Sequence, residues 1–194
     1  MRKAIIVALA AGLTVSACAS RGDEPAASPT AQATPAPTGS LVDRAPIRAL
    51  TPEQNLARSQ AFLAQNAGNP GVQVTSSGLQ YRYDRVMPES GPRPTAADRV
   101  RVHYEGRLID GQVFDSSFAR GEPAEFPLGG VIAAWTEAVQ LMRPGETITL
   151  WAPPELAYGN RGAGGGEIPA NSALIFRVEL LGFSRADGTT VTAP

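Results

Sequence analysis

Residues 99–108 read Arg-Val-Arg-Val-His-Tyr-Glu-Gly-Arg-Leu, the cleanest two-residue alternation in the chain. Val100, Val102, Tyr104 and Leu108 fall on one side; Arg99, Arg101, His103, Glu105 and Arg107 fall on the other. Successive strand side chains point to opposite faces, so this run predicts an antiparallel strand with one face buried and one face wet. Asp110-Gly111 follows as a strong hairpin signal, and Val113-Phe114 begins the return strand. Leu79–Tyr83, Thr147–Trp151 and Leu174–Leu180 read as further strands. An apolar sheet face must be covered. Ile132, Trp135, Val139 and Met142 recur at helical spacing until Pro144-Gly145 ends the run. The expected class is α+β: a twisted antiparallel sheet wrapped around one short helix.

A second helix is expected upstream. Thr51 can cap it, Pro52 suits its first turn and Gln54 completes a capping box, while Gly68 and Pro70 stop it. Leu56 and Leu63 share a face, with Phe62 alongside. That face suits packing on the chain's own domain better than a dimerisation arm, because a single helix of this length buries little between two copies.

The first 46 residues differ in composition. Alanine, proline, serine and threonine crowd them, and no aromatic precedes Phe62. Met1-Arg2-Lys3 is a short positive region and Ala4–Val15 an apolar run. That run is shorter than the about 20 residues a membrane-spanning helix needs, and it suits a signal peptide. Val15-Ser16-Ala17-Cys18 resembles a bacterial lipobox. The resemblance implies cleavage after residue 17 and a diacylglycerol on Cys18, with Ala19 favouring the outer membrane. A plain signal peptide cleaved at Ala17, or a chance buried cysteine, is the alternative. Residues 18–45, punctuated by Pro25, Pro29, Pro35 and Pro37, read as a disordered tether. Such a tether spans about 30 Å as a coil and about 80–90 Å fully extended. The expected divisions are therefore 1–17 signal, 18–45 tether, 46–77 helical extension, 78–186 folded domain and 187–194 tail.

Scarcity limits the chemistry. The chain has one cysteine (Cys18), one histidine (His103) and one lysine (Lys3). A lone Cys makes no internal disulfide, and a lone His makes no two-His metal site. No lysine follows residue 3, so a Walker-A loop and a Schiff-base lysine are both absent. The net charge is −1 with no basic block, which argues against nucleic acid as a partner. Any reaction must need few chemical reagents, and neither a cofactor nor a metal is expected.

Five motifs carry a resemblance. They are Val102–Gly106 with Asp110–Ser117, Gly130–Ile132 with Trp135, Pro154–Gly159, and Ile168–Phe176. In this order they resemble the FKBP-type peptidyl-prolyl cis–trans isomerases, over about residues 78–183. Asn55–Asn66 and Ser77–Tyr81 are similar to bacterial lipoprotein and periplasmic members. The resemblance implies a pocket floored by Trp135 and walled by Tyr104, Phe114, Phe126, Val131, Ile132 and Phe176, with Ile168 also contacting substrate. It implies that the Tyr158 hydroxyl and the Ile132 N–H bind substrate carbonyls, and that Asp115 forms a polar edge paired with Arg120. Loop Gly162–Glu167 would overhang the site. Two positions depart from the family pattern, Ala124 and Leu156, and thin the aromatic wall. The implied partners are proline-containing, partly folded envelope proteins, with macrolide inhibitors as possible ligands and the membrane reached through the lipid alone. Without the motifs, Trp135, Tyr104 and Phe114 read equally as core, and His103 with Asp115 and Ser116 invites a hydrolase triad. A non-catalytic peptide-binding chaperone and a structural envelope lipoprotein are the competing functions.

Overall fold

The computed structural model describes residues 46–88 and 91–194. The signal-like segment, Cys18 and the tether at 18–45 lie outside the described residues. The fold is α+β, with every strand pairing antiparallel. The strands are β1 (Gln73–Val74), β2 (Gln80–Arg85), β3 (Arg99–Leu108), β4 (Val113–Ser116), β5 (Ala124–Pro127), β6 (Thr147–Ala152), β7 (Leu174–Ser184) and β8 (Thr190–Thr192). The helices are α1 (Pro52–Asn66), α2 (Ser117–Arg120) and α3 (Ala133–Val139). The sheet order is β1-β2-β6-β7-β3-β4, with β5 also on β3 and β8 on β7.

The alternation in β3 has its expected consequence. Val100, Val102, Tyr104 and Leu108 are buried, while Arg99 and Arg101 are exposed. β3 pairs with β7 along its whole length, from Arg99 opposite Ser184 to Leu108 opposite Leu174, with one bulge after Arg101. Its other edge is shared. β5 runs beside Arg99–Val102 and β4 beside Glu105–Arg107. Gly111 closes the β3–β4 turn with φ 91°, a conformation that glycine adopts without steric cost.

Helix α3 lies on the buried side of the sheet. Ala134, Trp135, Ala138 and Val139 join the same core as Ile148, Leu150, Val178 and Leu180. The helix is shorter than its apolar spacing suggested. Ile132 is its N-cap, and Met142 is buried from the turn that follows.

Helix α1 has its capping box: Thr51 Oγ1 accepts from the Gln54 N–H, and Gln54 Oε1 accepts from the Thr51 N–H. Its buried positions are Asn55, Ser59, Leu63 and Asn66, so the inward face is largely polar. Leu56 and Phe62 are half-buried at its margins. Hydrogen bonds hold this seam. Asn55 Nδ2 donates to the Ala170 carbonyl at 2.6 Å and to Ser172 Oγ at 2.9 Å. Ser59 Oγ donates to the Asn171 carbonyl and accepts from the Ala173 N–H, both at 2.9 Å. Asn66 Nδ2 donates to Gln80 Oε1 at 2.8 Å, and Gln80 Nε2 donates to the Leu63 carbonyl at 2.8 Å. The helix thus docks on its own domain.

Three strands escaped the sequence reading: β1, β5 and β8. β5 is four residues flanked by Pro123 and ending in Pro127, too short to show a period. β8 lies in the segment read as a 187–194 tail. It pairs with Gly182–Ser184 and places Val191 against the core, so the sheet extends into residues 190–192. β1 lies before residue 78 and pairs with β2.

Candidate active site

The site grows out of one helix and three strands. Trp135 projects from α3, and rings from the sheet meet it edge-on. The centroids of Tyr104, Phe176 and Phe126 lie 5.1, 5.5 and 6.0 Å from it, at 82–88° between planes. Phe114 stands on Phe176 in the same manner, at 5.6 Å. Edge-to-face contact sets the electropositive rim of one ring on the electronegative face of another. Gly106 makes room for this group. A Cβ there would lie 2.7 Å from Phe114 Cε2 and 2.8 Å from Phe176 Cε1.

These rings leave a cavity of about 300 Å³. Tyr104, Phe114, Trp135 and Phe176 line it from the sheet and α3; Val131 and Ile132 line it from the turn before α3. Asp115, Tyr158 and Ile168 complete the set of expected residues that reach it. Phe126 does not reach the lining; it packs behind Tyr104 and Trp135. Leu156 lines the cavity as an aliphatic wall, whereas Ala124 pairs with Val102 on β5 away from it. Glu155, Gly164 and Glu167 also line it, so part of the glycine-rich loop faces the opening.

The polar edge is a closed three-residue group. The Tyr104 hydroxyl donates to Asp115 Oδ2, and Arg120 Nη1 donates to Asp115 Oδ1. Arg120 Nη2 reaches the Tyr104 oxygen at 3.1 Å, with the guanidinium 5.6 Å from the centre of the Tyr104 ring. The route of the chain explains the grouping. Asp115 sits on β4, and α2 turns back at once to return Arg120 to it. Burial, then the hydrogen bond to Asp115, pushes the Tyr104 phenol well above its ordinary range. Burial, then the Asp115 charge, also raises Tyr158. Tyr158 therefore stays a neutral O–H donor, and among the described residues its hydroxyl has no hydrogen-bond partner.

His103 faces the other side of β3. Its Nδ1 lies 3.0 Å from Ser117 Oγ and its ring stacks on Phe118 at 4.8 Å. Asp115 is committed to Tyr104 and Arg120, so the residues of a Ser-His-Asp relay are not brought together. What the arrangement offers is an apolar hole with one uncommitted side-chain donor, suited to holding a small ring and an adjoining carbonyl.

Comparison with known proteins agrees with this geometry. Residues 91–181 match the sequence model of FKBP-type peptidyl-prolyl cis-trans isomerases. Residues 26–82 match that of the domain amino terminal to FKBP-type peptidyl-prolyl isomerase. The FKBP-type 22 kDa peptidyl-prolyl cis-trans isomerase of Escherichia coli is 55% identical over 125 residues, 64% of this chain and 59% of that one. A Legionella longbeachae protein named outer membrane protein MIP is 45% identical over 134 residues, 69% of this chain and 56% of that one. The solved peptidyl-prolyl cis-trans isomerase of Pseudomonas syringae superposes with a TM-score of 0.63 at 37% identity, covering 70% of this chain and 98% of that one. The chain belongs to the FKBP-type peptidyl-prolyl cis–trans isomerase family. It spans about half the length of the curated relatives it matches.

Proposed function

We propose that this protein catalyses cis–trans isomerisation of X-Pro peptide bonds in partly folded proteins of the bacterial envelope. The observation that carries this reading is the aromatic cavity floored by Trp135, of a size for a proline ring, with the Tyr158 hydroxyl uncommitted at its wall.

Rotation about a peptide bond costs about 18–20 kcal/mol, because resonance must be broken. X-Pro bonds populate both isomers yet exchange slowly. No bond is made or broken, so the chain's poverty in His, Cys and Lys is no obstacle. A catalyst need only favour the twisted amide over the planar one. In this reading the proline ring rests on Trp135 between Tyr104, Phe114 and Phe176. Val131 and Ile168 exclude water from the amide. Phe126 supports Tyr104 and Trp135 from behind. The Tyr158 hydroxyl and the Ile132 N–H hold the flanking carbonyls. Ile132 is the N-cap of α3, a position whose N–H has no place in the helix ladder. Arg120 fixes Asp115, which fixes the Tyr104 ring. Each 1.4 kcal/mol of preference for the twisted form gives about tenfold in rate.

A protease-coupled assay on a Leu-Pro tetrapeptide tests the reading. Wild type is expected to accelerate the slow phase, and a macrolide of the FK506 class to abolish that acceleration. Phe114→Ala, on a half-buried side chain, is expected to lower kcat/KM at least about tenfold while the thermal transition stays within a few degrees. A wild-type rate equal to the uncatalysed rate would sink the proposal. If the protein then still suppressed aggregation of an unfolded client, the non-catalytic chaperone reading would replace it.

Envelope localisation through a lipid on Cys18 belongs to the same proposal. The lipobox-like Val15–Cys18 segment supports it, as does a relative named an outer membrane protein. Two or more acyl chains hold a protein stably at a bilayer. Cys18→Ser is expected to remove a lipid mass increment from the mature protein and release it from membranes; an unchanged mass in that variant would refute the anchor.

A further inference from the structure

We infer that Arg48 is a positioning residue for the substrate cavity, holding the glycine-rich loop at its rim. The consequence for turnover rests on the isomerase reading above; the strap itself rests on geometry. Residues 46–50 precede α1 and lie far in sequence from every motif of the site. Ile47 is fully buried in the same core as Trp135 and Tyr104. Its N–H donates to Asp110 Oδ2 at 3.1 Å, which fixes the backbone beside the β3–β4 turn. Arg48 is thereby set between two loops. Its Nη2 donates to the Glu167 carbonyl at 2.9 Å. With the Gln112 amide oxygen turned toward it, Nη1 and Nη2 also donate to Gln112 at 3.3 and 3.2 Å. One planar guanidinium thus joins the β3–β4 turn to the loop over the cavity.

The loop needs such a tie. It is closed at its base, where Ala163 and Ile168 exchange backbone hydrogen bonds at 2.8 and 3.0 Å. Gly162 makes that base possible. It sits at φ 61°, and a Cβ there would come within 2.2 Å of the Ile168 carbonyl oxygen. The tip is Gly164-Gly165-Gly166, exposed, and glycine loses more conformational freedom on ordering than any other residue. Gly164 and Glu167 both line the cavity, and the Glu167 carbonyl is the point that Arg48 grips. A released tip would populate states with a wider mouth, and apparent affinity falls with the fraction of competent molecules. Arg48 therefore acts on substrate binding and leaves the walls that favour rotation unchanged.

The test is amide hydrogen exchange on the full chain, with steady-state kinetics on a Leu-Pro tetrapeptide. In Arg48→Ala, exchange across residues 163–168 is expected to quicken roughly three- to tenfold, the range of one ordinary lost hydrogen bond, since this one is exposed, while β7 is unchanged. KM is expected to rise by about the same factor with kcat within about twofold of wild type. Arg48→Lys keeps the charge without the fork, and its KM is expected to fall between the other two. Unchanged loop exchange in Arg48→Ala overturns the inference. So does a uniform rise that includes β7, and so does a fall in kcat at constant KM. If the wild type itself proves inactive, the isomerase reading fails, and the exchange measurement still decides the strap.

Discussion

The two faces that meet the sheet are built on opposite principles. Around α3, the side chains of Trp135, Tyr104 and Phe176 touch ring to ring, and a closed Tyr104–Asp115–Arg120 set forms the polar edge. Along α1, Asn55, Ser59 and Asn66 are buried and hydrogen-bonded, with Leu63, Trp151 and Ala173 forming only a small apolar cluster. Dispersion and burial hold the first face and are indifferent to direction, so a cavity can remain among well-packed rings. Hydrogen bonds hold the second and demand register, since each buried group left unpaired costs more than a made bond contributes. The first face is suited to hosting a guest. The second is suited to fixing one orientation of an added helix.

Substitutions on the two faces should separate turnover from stability. The largest expected effect is on the aromatic face. Trp135→Ala removes a buried indole from the core and is expected to cost about 3–5 kcal/mol by urea unfolding, with turnover abolished. Gly106→Ala comes next. The added methyl overlaps Phe114 and Phe176, so a loss of about 1–3 kcal/mol is expected, with peptide turnover falling at least about tenfold as the rings shift. On the polar face, Ser59→Ala strands the Ala173 N–H and the Asn171 carbonyl. It is expected to cost about 1–3 kcal/mol while kcat/KM measured below the transition stays at the wild-type value. Equal turnover losses in Ser59→Ala and Gly106→Ala would erase the distinction between the faces. Tyr158→Phe removes one uncommitted hydroxyl, so roughly a tenfold fall in kcat/KM is expected with no loss of stability.

The same contrast decides what could be read from the sequence. Strand β3 and helix α3 were legible because their apolar residues recur with a clear period, and the sheet accepts that period directly. Tyr104, Phe114, Asp115, Trp135, Tyr158 and Phe176, each drawn from a family motif, all line the cavity. Phe126 showed the limit: its strand pairs with Arg99–Val102, and that register turns the ring behind the wall. Helix α1 was legible in extent, from its capping box, and illegible in its face. Leu56 and Phe62 suggested an apolar stripe, whereas the side chains that dock are Asn55, Ser59 and Asn66, which hydropathy scores as solvent-facing. The partners of Asn55 and Ser59 lie on residues 170–173, more than 100 residues away, and that of Asn66 on Gln80 of β2; no local signal predicts such bonds. Arg48 was invisible for the same reason.

The smallest expected effect is a pH dependence that belongs to the aromatic side alone. Burial raises Tyr83, Tyr104 and Tyr158 above the ordinary phenol range, and the Glu146 or Asp115 charges add to the shift. Each group is neutral in the folded protein at a pH where its unfolded counterpart has begun to lose its proton. The folded state thus binds more protons than the unfolded state, so stability falls as pH rises. The contribution is complete below about pH 10, the ordinary phenol value, and declines above it. Urea midpoints taken between neutral pH and pH 11 are expected to drop on the alkaline limb, with a shallower drop in Tyr158→Phe. Ser59→Ala should keep the wild-type slope from a lower starting point, because no tyrosine hydroxyl takes part in its seam. A wild-type slope in Tyr158→Phe would show that its phenol is not desolvated when the protein is folded, so that the hydroxyl meets water and not a dry cavity wall.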